Sequence, residues 1–144
     1  MILPDVNVLV YAADERVPEH RVYAHWLNRT LAFEDLLLPD AVLAGVLRVV
    51  TNAQVRQPPV GMQPALAFVD GLRARRSAHS IEGSRAVWAK FGDLCEHDPE
   101  IRGKLVPDAY LAAIALTHGA RVATRDRGFS RYPGLRWFDP AKAA

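Results

Sequence analysis

Apolar side chains run almost unbroken from Ile2 to Tyr11, and only Asp5 and Asn7 interrupt them. Residues 1–4 are predicted to form a short buried strand ending at Asp5. Val6, Val10 and Tyr11 then share one face of a predicted helix over 7–13. After a break at Pro18, a helix over 19–31 is expected to turn Val22, Tyr23 and Trp26 inward. Leu36-Leu37-Leu38 reads as a second strand. Asp40 then suits the N-cap of a helix over 41–51, with Val42, Val46 and Val49 or Val50 inside. Pro58, Pro59 and Gly61 make 52–61 irregular, and Leu66, Val69 and Leu72 mark a helix over 64–75. A weak strand at 78–81 precedes a helix over 83–97 that carries Val87, Phe91, Leu94 and Cys95 on one side. Pro107 and Asp108 suit the start of a helix over 107–118, and Gly119 suits its end. A strand at 120–124, a turn at 125–128 and a last strand at 135–138 complete the pattern. Strands that alternate with helices require crossover connections. The expected fold class is therefore α/β, a sandwich with a mainly parallel sheet.

Composition narrows this picture. A chain of 144 residues that is 50% hydrophobic suits one packed domain, taken as 1–140 with a tail at 141–144. No apolar run is long enough to span a membrane, and no charged leader or cleavage site precedes a secreted domain, so a cytoplasmic location is expected. The lone Cys95 rules out an internal disulfide and a cysteine-based zinc site. The formal charge of +2 is too balanced to indicate nucleic-acid binding by itself. Yet 15 of the 18 basic residues are Arg, whose planar fork suits phosphate and carboxylate. A clustered set, Arg73, Arg75 and Arg76, fits either an RNA contact or a solvated helix end.

The acidic residues carry the candidate chemistry. A lone carboxylate in an apolar strand is costly unless it sits at the strand end, is paired, or meets a cation. Ligands of open parallel sheets lie beyond the carboxyl ends of the strands. Asp5 ends the first strand, Asp126 follows the strand around Val122, and Asp108 opens the helix that leads into that strand. All three therefore fall on one rim. Read singly, Asp5 and Asp126 also fit turn positions, and Asp108 fits a first-turn dipole partner. Read together, an all-oxygen set without clustered His or Cys suits Mg²⁺ or Mn²⁺ rather than zinc.

Four ordered blocks resemble the PIN-domain ribonucleases, VapC toxins in particular: Leu3–Ala12, Val42–Asn52, Val106–Ala115 and Ala123–Phe129. The closing Tyr132-Pro133-Gly134-Leu135-Arg136-Trp137 is similar too, so the resemblance spans essentially the full chain. It implies a PIN-like three-layer α/β/α sandwich and a Mg²⁺- or Mn²⁺-dependent endoribonuclease of a toxin–antitoxin pair. Such an enzyme inhibits translation and growth by cutting structured RNA such as tRNA or rRNA. On this pattern Asp5, Asp108 and Asp126 are the catalytic metal ligands, or acids that support them, and Asn7 and Thr124 take supporting polar positions. Arg125, Arg127 and Arg131, close to Asp126, would grip the RNA backbone. A VapB-like antitoxin would insert a segment, with an Arg, beside the acidic rim, and a homodimer is a further family expectation. Trp26 and Trp88 fit such contacts or plain core packing.

One position departs from the pattern. Many PIN domains carry Glu where this chain has Gly45, so one carboxylate is missing. Asp40 is the nearest earlier acid and is a candidate to compensate, as well as a plain helix N-cap. Two rival classes follow. A non-catalytic or weakly active PIN module that binds RNA or antitoxin is compatible with Gly45. A haloacid-dehalogenase-like phosphatase would want a second acid two residues after Asp5, where Asn7 stands.

Overall fold

The computed structural model describes residues 1–142, so residues 143 and 144 of the expected tail lie outside the described residues. Ile2–Pro4 forms β1, and its three side chains are all buried. α1 follows at Val6–Ala13 and α2 at His20–Phe33; β2 spans Leu36–Pro39 and leads into α3 at Asp40–Val50. α4 (Met62–Arg73), β3 (Ala78–Ile81), α5 (Arg85–His97) and α6 (Leu105–His118) come next, then β4 (Arg121–Ala123) and β5 (Trp137–Phe138). A short 3-10 helix at Arg127–Arg131 lies between the last two strands, where the sequence suggested only a turn.

All five strands run parallel in one sheet of order β3-β2-β1-β4-β5. The first connections step from β1 through β2 to β3 on one side. The next returns to β4 on the other side of β1. Right-handed crossovers then put α1 to α4 on one face of the sheet and α5 and α6 on the other. The chain reverses its direction of travel between β1 and β4, which is where an open α/β sheet leaves a crevice at its carboxyl edge. β1 is central and short. Its side chains belong to the same buried core as Val8, Leu9, Val46, Ala112 and Val122, so even three residues make a stable strand when both faces are covered.

Most helix faces follow the expected spacing, but on α2 only Tyr23 and Trp26 of the three expected residues turn toward the core. Tyr23, Leu27, Thr30 and Leu31 are its buried residues, and Val22 is exposed. The reason is a specific partner. The Tyr23 hydroxyl donates to Asp139 Oδ1 at 2.7 Å, and its ring packs on Tyr11 with centroids 5.2 Å apart. A large buried phenol with a satisfied hydroxyl outcompetes a neighbouring valine for the inward position. Asp40 is the first residue of α3 rather than its N-cap; Pro39 takes that place, in extended conformation and without a side-chain cap. α6 begins two residues earlier than expected, which leaves Pro107 within the first turn, where its missing N–H costs nothing. The irregular stretch after α3 is tied down by Arg56, whose guanidinium pairs with the buried carboxylate of Asp14.

Candidate active site: an acidic cleft at the carboxyl edge

The parallel register sets the first pair of functional side chains. Pro4 lies opposite Ala123, and the pairing continues one step further, where the Asp5 N–H donates to the Ala123 carbonyl at 2.9 Å. Asp5 and Thr124 thus leave the sheet side by side. Thr124 is fully buried, and its Oγ1 donates to Asp5 Oδ2 at 2.8 Å. The same Oγ1 accepts the Asp126 N–H at 3.0 Å, so one hydroxyl fixes both acidic segments. Asp5 Oδ1 accepts the Val6 N–H at 2.7 Å, which also caps α1. Asp126 Oδ1 accepts the Gly128 N–H at 2.7 Å. A side chain at 128 would place its Cβ 2.9 Å from that same oxygen, so glycine permits the close approach.

Asp108 arrives from the other face of the sheet, in the first turn of α6. With Asp5, Asn7, Thr124 and Asp126 it lines a cleft of about 490 Å³, together with Val6, Tyr11, Gly45, Arg48, Val49 and Arg125. Burial, then the charges of Asp5 and Asp126, push Asp108 up to about 6. Asp5 is also raised, chiefly by burial and in small part by Asp126, against the lowering effect of its bonds to Thr124 and Val6. No side chain or backbone group among the described residues hydrogen-bonds the Asp108 carboxylate. Nearby, the Tyr132 hydroxyl is buried without a partner and pushed up to about 12, by burial first and then by the charge of Asp108.

This donor set fits a hard divalent cation. The candidate donor atoms are all carboxylate oxygens, the negative charge is uncompensated within the group, and Asp108 has no hydrogen-bond partner among the described residues. Among the described residues no three acidic or histidine side chains stand as a ready-made cage. The three carboxylates share a cleft and sense one another, without closing on a single point.

The remaining predicted residues separate clearly. Asn7 is exposed at the cleft wall. Asp40 is exposed at the start of α3 and is not part of the cleft lining. Arg125 lines the cleft, lies 5.3 Å from the Tyr11 ring centroid and pairs with Glu19 at 3.5 Å. Arg127 is exposed just beyond the cleft. Arg131 is committed elsewhere, donating to Asp98 at 3.0 Å and Glu100 at 2.8 Å. Arg75 and Arg76 lie at the opposite end of the sheet, beside Asp35 and Ser77. Of the two tryptophans, Trp26 is half-buried and edge-on to Phe138, and Trp88 is 66% exposed against Phe91 and Tyr110. Arg48 and Tyr11 are cleft residues that the acidic pattern did not single out. Arg48 falls one turn after Gly45, and that spacing was the available signal.

Gly45 itself has a packing reason. A Cβ there would stand 2.7 Å from Val6 Cγ2. The valine after Asp5 fills the space in which a side chain from α3 would reach the acids.

Comparison with known proteins agrees with this architecture. The PIN domain family model matches residues 2–135. The VapC ribonuclease Mb2897 of Mycobacterium bovis is 43% identical over 142 residues, covering 97% of this chain and 95% of the relative. Ribonuclease VapC25 of Mycobacterium tuberculosis is 34% identical over 141 residues, with 97% and 99% covered. Among solved structures, VapBC-1 from nontypeable Haemophilus influenzae matches with a TM-score of 0.70 at 18% identity, covering 99% of this chain and 100% of that one. VapC20 of Mycobacterium tuberculosis, described as a sarcin-ricin loop cleaving toxin, matches with a TM-score of 0.65 at 16% identity, covering 94% and 99%. The five-stranded parallel sheet with helices on both faces, the acids on its carboxyl edge and these relatives together make the chain a member of the PIN-domain family, within its VapC ribonucleases.

Proposed function

We propose that the cleft is the active site of a Mg²⁺- or Mn²⁺-dependent endoribonuclease that cuts structured RNA such as tRNA or rRNA and is restrained by a VapB-like antitoxin. The observation that carries this reading is the convergence of Asp5, Asp108 and Asp126, from three separate segments, on one cleft where Asp108 is pushed up to about 6. Relatives named as ribonucleases and neighbours solved as VapBC complexes support it.

Asp5 and Asp108 would hold the cation, with Asp126 completing the set. When bound, the cation supplies Lewis-acid polarisation of a phosphate and a water of lowered pKa. The protein does the rest. Thr124 fixes Asp5 and the Asp126 backbone in one step, so two ligand segments cannot drift apart. Asp126 keeps Oδ2 free, because Gly128 holds only Oδ1, and that oxygen can accept a hydrogen bond from an attacking water. Asn7 offers a side-chain amide at the wall. Arg125 and Arg127 neutralise backbone phosphates beside the acids. Arg131 is left out of the RNA contact because two carboxylates already occupy its guanidinium. An antitoxin Arg entering the cleft would meet the same uncompensated charge that the cation does.

Val6 closing the Gly45 side favours one alternative, a weakly active module that binds RNA or antitoxin without efficient cleavage. The deciding experiment incubates total RNA with Mn²⁺ and either the wild type or Asp5→Ala. The wild type is expected to cut and to stop in EDTA, and the variant is expected to be inert. Equal cleavage by both, or cleavage that survives EDTA, overturns the proposal.

A further inference from the structure

Arg48 is the one basic residue on α3, and it lines the acidic cleft without an ion-pair partner there. It lines the same cleft as Asp5, Asp108 and Asp126, yet among the described residues no carboxylate lies within ion-pair distance of it. Every other arginine that lines this cleft or follows Asp126 closely has a different status: Arg125 is paired with Glu19, Arg131 is paired twice, and Arg127 lies outside the lining. Position 45, one turn earlier on the same face, has no side chain. The α3 side of the cleft is therefore formed by Gly45, Arg48 and Val49, and Arg48 is its one charged group. The sheet order adds a direction. α3 follows β2 on one side of β1, and Arg125 follows β4 on the other, so the acids of the cleft are flanked by one arginine on each side.

We infer that Arg48 holds an RNA phosphate at the α3 wall of the cleft and, opposite Arg125, aligns the strand across the acids. The inference rests on the ribonuclease reading above. It assigns to Arg48 a charge-assisted contact with non-bridging phosphate oxygens, for which the planar guanidinium is suited. A plainer role exists, since Arg48 lies in the last turn of α3 and complements the helix dipole. The two roles differ in what they move. A dipole contact affects stability, whereas a phosphate contact affects the salt dependence of RNA binding.

The test measures binding of a fluorescein-labelled 12-nucleotide single-stranded RNA in EDTA, between 25 and 200 mM KCl. It compares the full-length wild type with Arg48→Ala, Arg48→Lys and, as a remote control, Arg29→Ala. Arg48→Ala is expected to weaken binding roughly tenfold at low salt and to flatten the slope of log K against log salt by about 0.7, the value for one lost phosphate contact on a single strand. Arg48→Lys is expected to keep the wild-type slope, and Arg29→Ala to change neither quantity. A wild-type slope in Arg48→Ala, with folding verified by its circular dichroism, overturns the inference while leaving the ribonuclease reading standing. A wild type that neither binds this RNA nor cuts total RNA in Mn²⁺ overturns both.

Discussion

The contact between Val6 and Gly45 sets up a sharp test of how the cleft is built. Replacing a mid-helix glycine by alanine ordinarily stabilises a helix by about 1 kcal/mol. Here the new Cβ would lie 2.7 Å from Val6 Cγ2, well inside the ~3.5–4.0 Å separation at which carbon atoms attract. Val6 cannot yield cheaply. It is β-branched, stiff at χ1, and sits at the first position of α1 directly after Asp5. Overpacking of this kind costs about 1–3 kcal/mol. The overpacking cost exceeds the propensity gain, so Gly45→Ala should destabilise the protein by roughly 1 kcal/mol net. In a Val6→Ala background the obstruction is gone, and Gly45→Ala should stabilise by about 1 kcal/mol. The coupling energy of the cycle is then about 2 kcal/mol, read from urea unfolding midpoints with unchanged slopes. The same geometry governs function. Gly45→Glu alone should destabilise the protein without tightening Mn²⁺ binding, and Val6→Ala/Gly45→Glu should tighten it by roughly tenfold through added ligand charge. If Gly45→Ala stabilises the wild type as much as it stabilises Val6→Ala, the packing explanation of Gly45 is wrong.

Three further outcomes are expected. Asp108 is pushed up to about 6 from an ordinary 3.8, so the folded chain binds its proton more tightly than the unfolded chain. The stability this confers is full below pH about 4 and is lost as pH rises through about 6. Metal-free wild type should therefore be more stable at pH 4.5 than at pH 8 as far as this group is concerned. Asp108→Asn should raise the pH 8 stability by on the order of 1 kcal/mol, a value reduced for the solvent reaching this half-buried group, as thermal unfolding in EDTA would show. Thr124→Val removes the hydroxyl that joins Asp5 to the Asp126 backbone and should cost about 1–3 kcal/mol in urea unfolding, with Mn²⁺ affinity falling at least tenfold. Arg131→Ala should leave RNA affinity within about twofold of wild type, because its partners are Asp98 and Glu100, and should lower stability by less than about 1 kcal/mol; a loss as large as that of Arg125→Ala in the same binding assay would restore Arg131 to the RNA contact.

Much of the site was legible because it depends on strand ends and helix starts. Asp5 and Asp126 follow apolar runs, and Asp108 precedes one, and topology alone carries all three to the same edge. Thr124 was legible from the resemblance, but its double hydrogen bond depends on the exact register of β1 against β4, which three-residue strands do not announce. On α2 apolar periodicity places Val22 inward beside Tyr23, because it does not separate adjacent apolar residues; a partner for the phenol, Asp139 in the last segment, fixes Tyr23 inside and leaves Val22 exposed. Arg131 looked like its neighbours Arg125 and Arg127 until the fold brought Asp98 and Glu100 beside it, over 30 positions away in sequence. Arg48 escaped notice for the opposite reason. An arginine on a helix is the most ordinary of residues, and only its place in the lining of the acidic cleft gives it a role. Gly45 was visible as a missing carboxylate, and the atom that fills its place, Val6 Cγ2, was not.

The most direct measurement is titration of the metal-free protein with Mn²⁺, by calorimetry, for the wild type and for Asp5→Asn, Asp108→Asn and Asp126→Asn, each verified as folded. If the three carboxylates act together on one cation, the wild type binds at or below millimolar Mn²⁺ and each single variant loses at least tenfold in affinity. A wild type that takes up no Mn²⁺ at millimolar concentration, or variants that bind as tightly as the wild type, would contradict the cation-holding cleft.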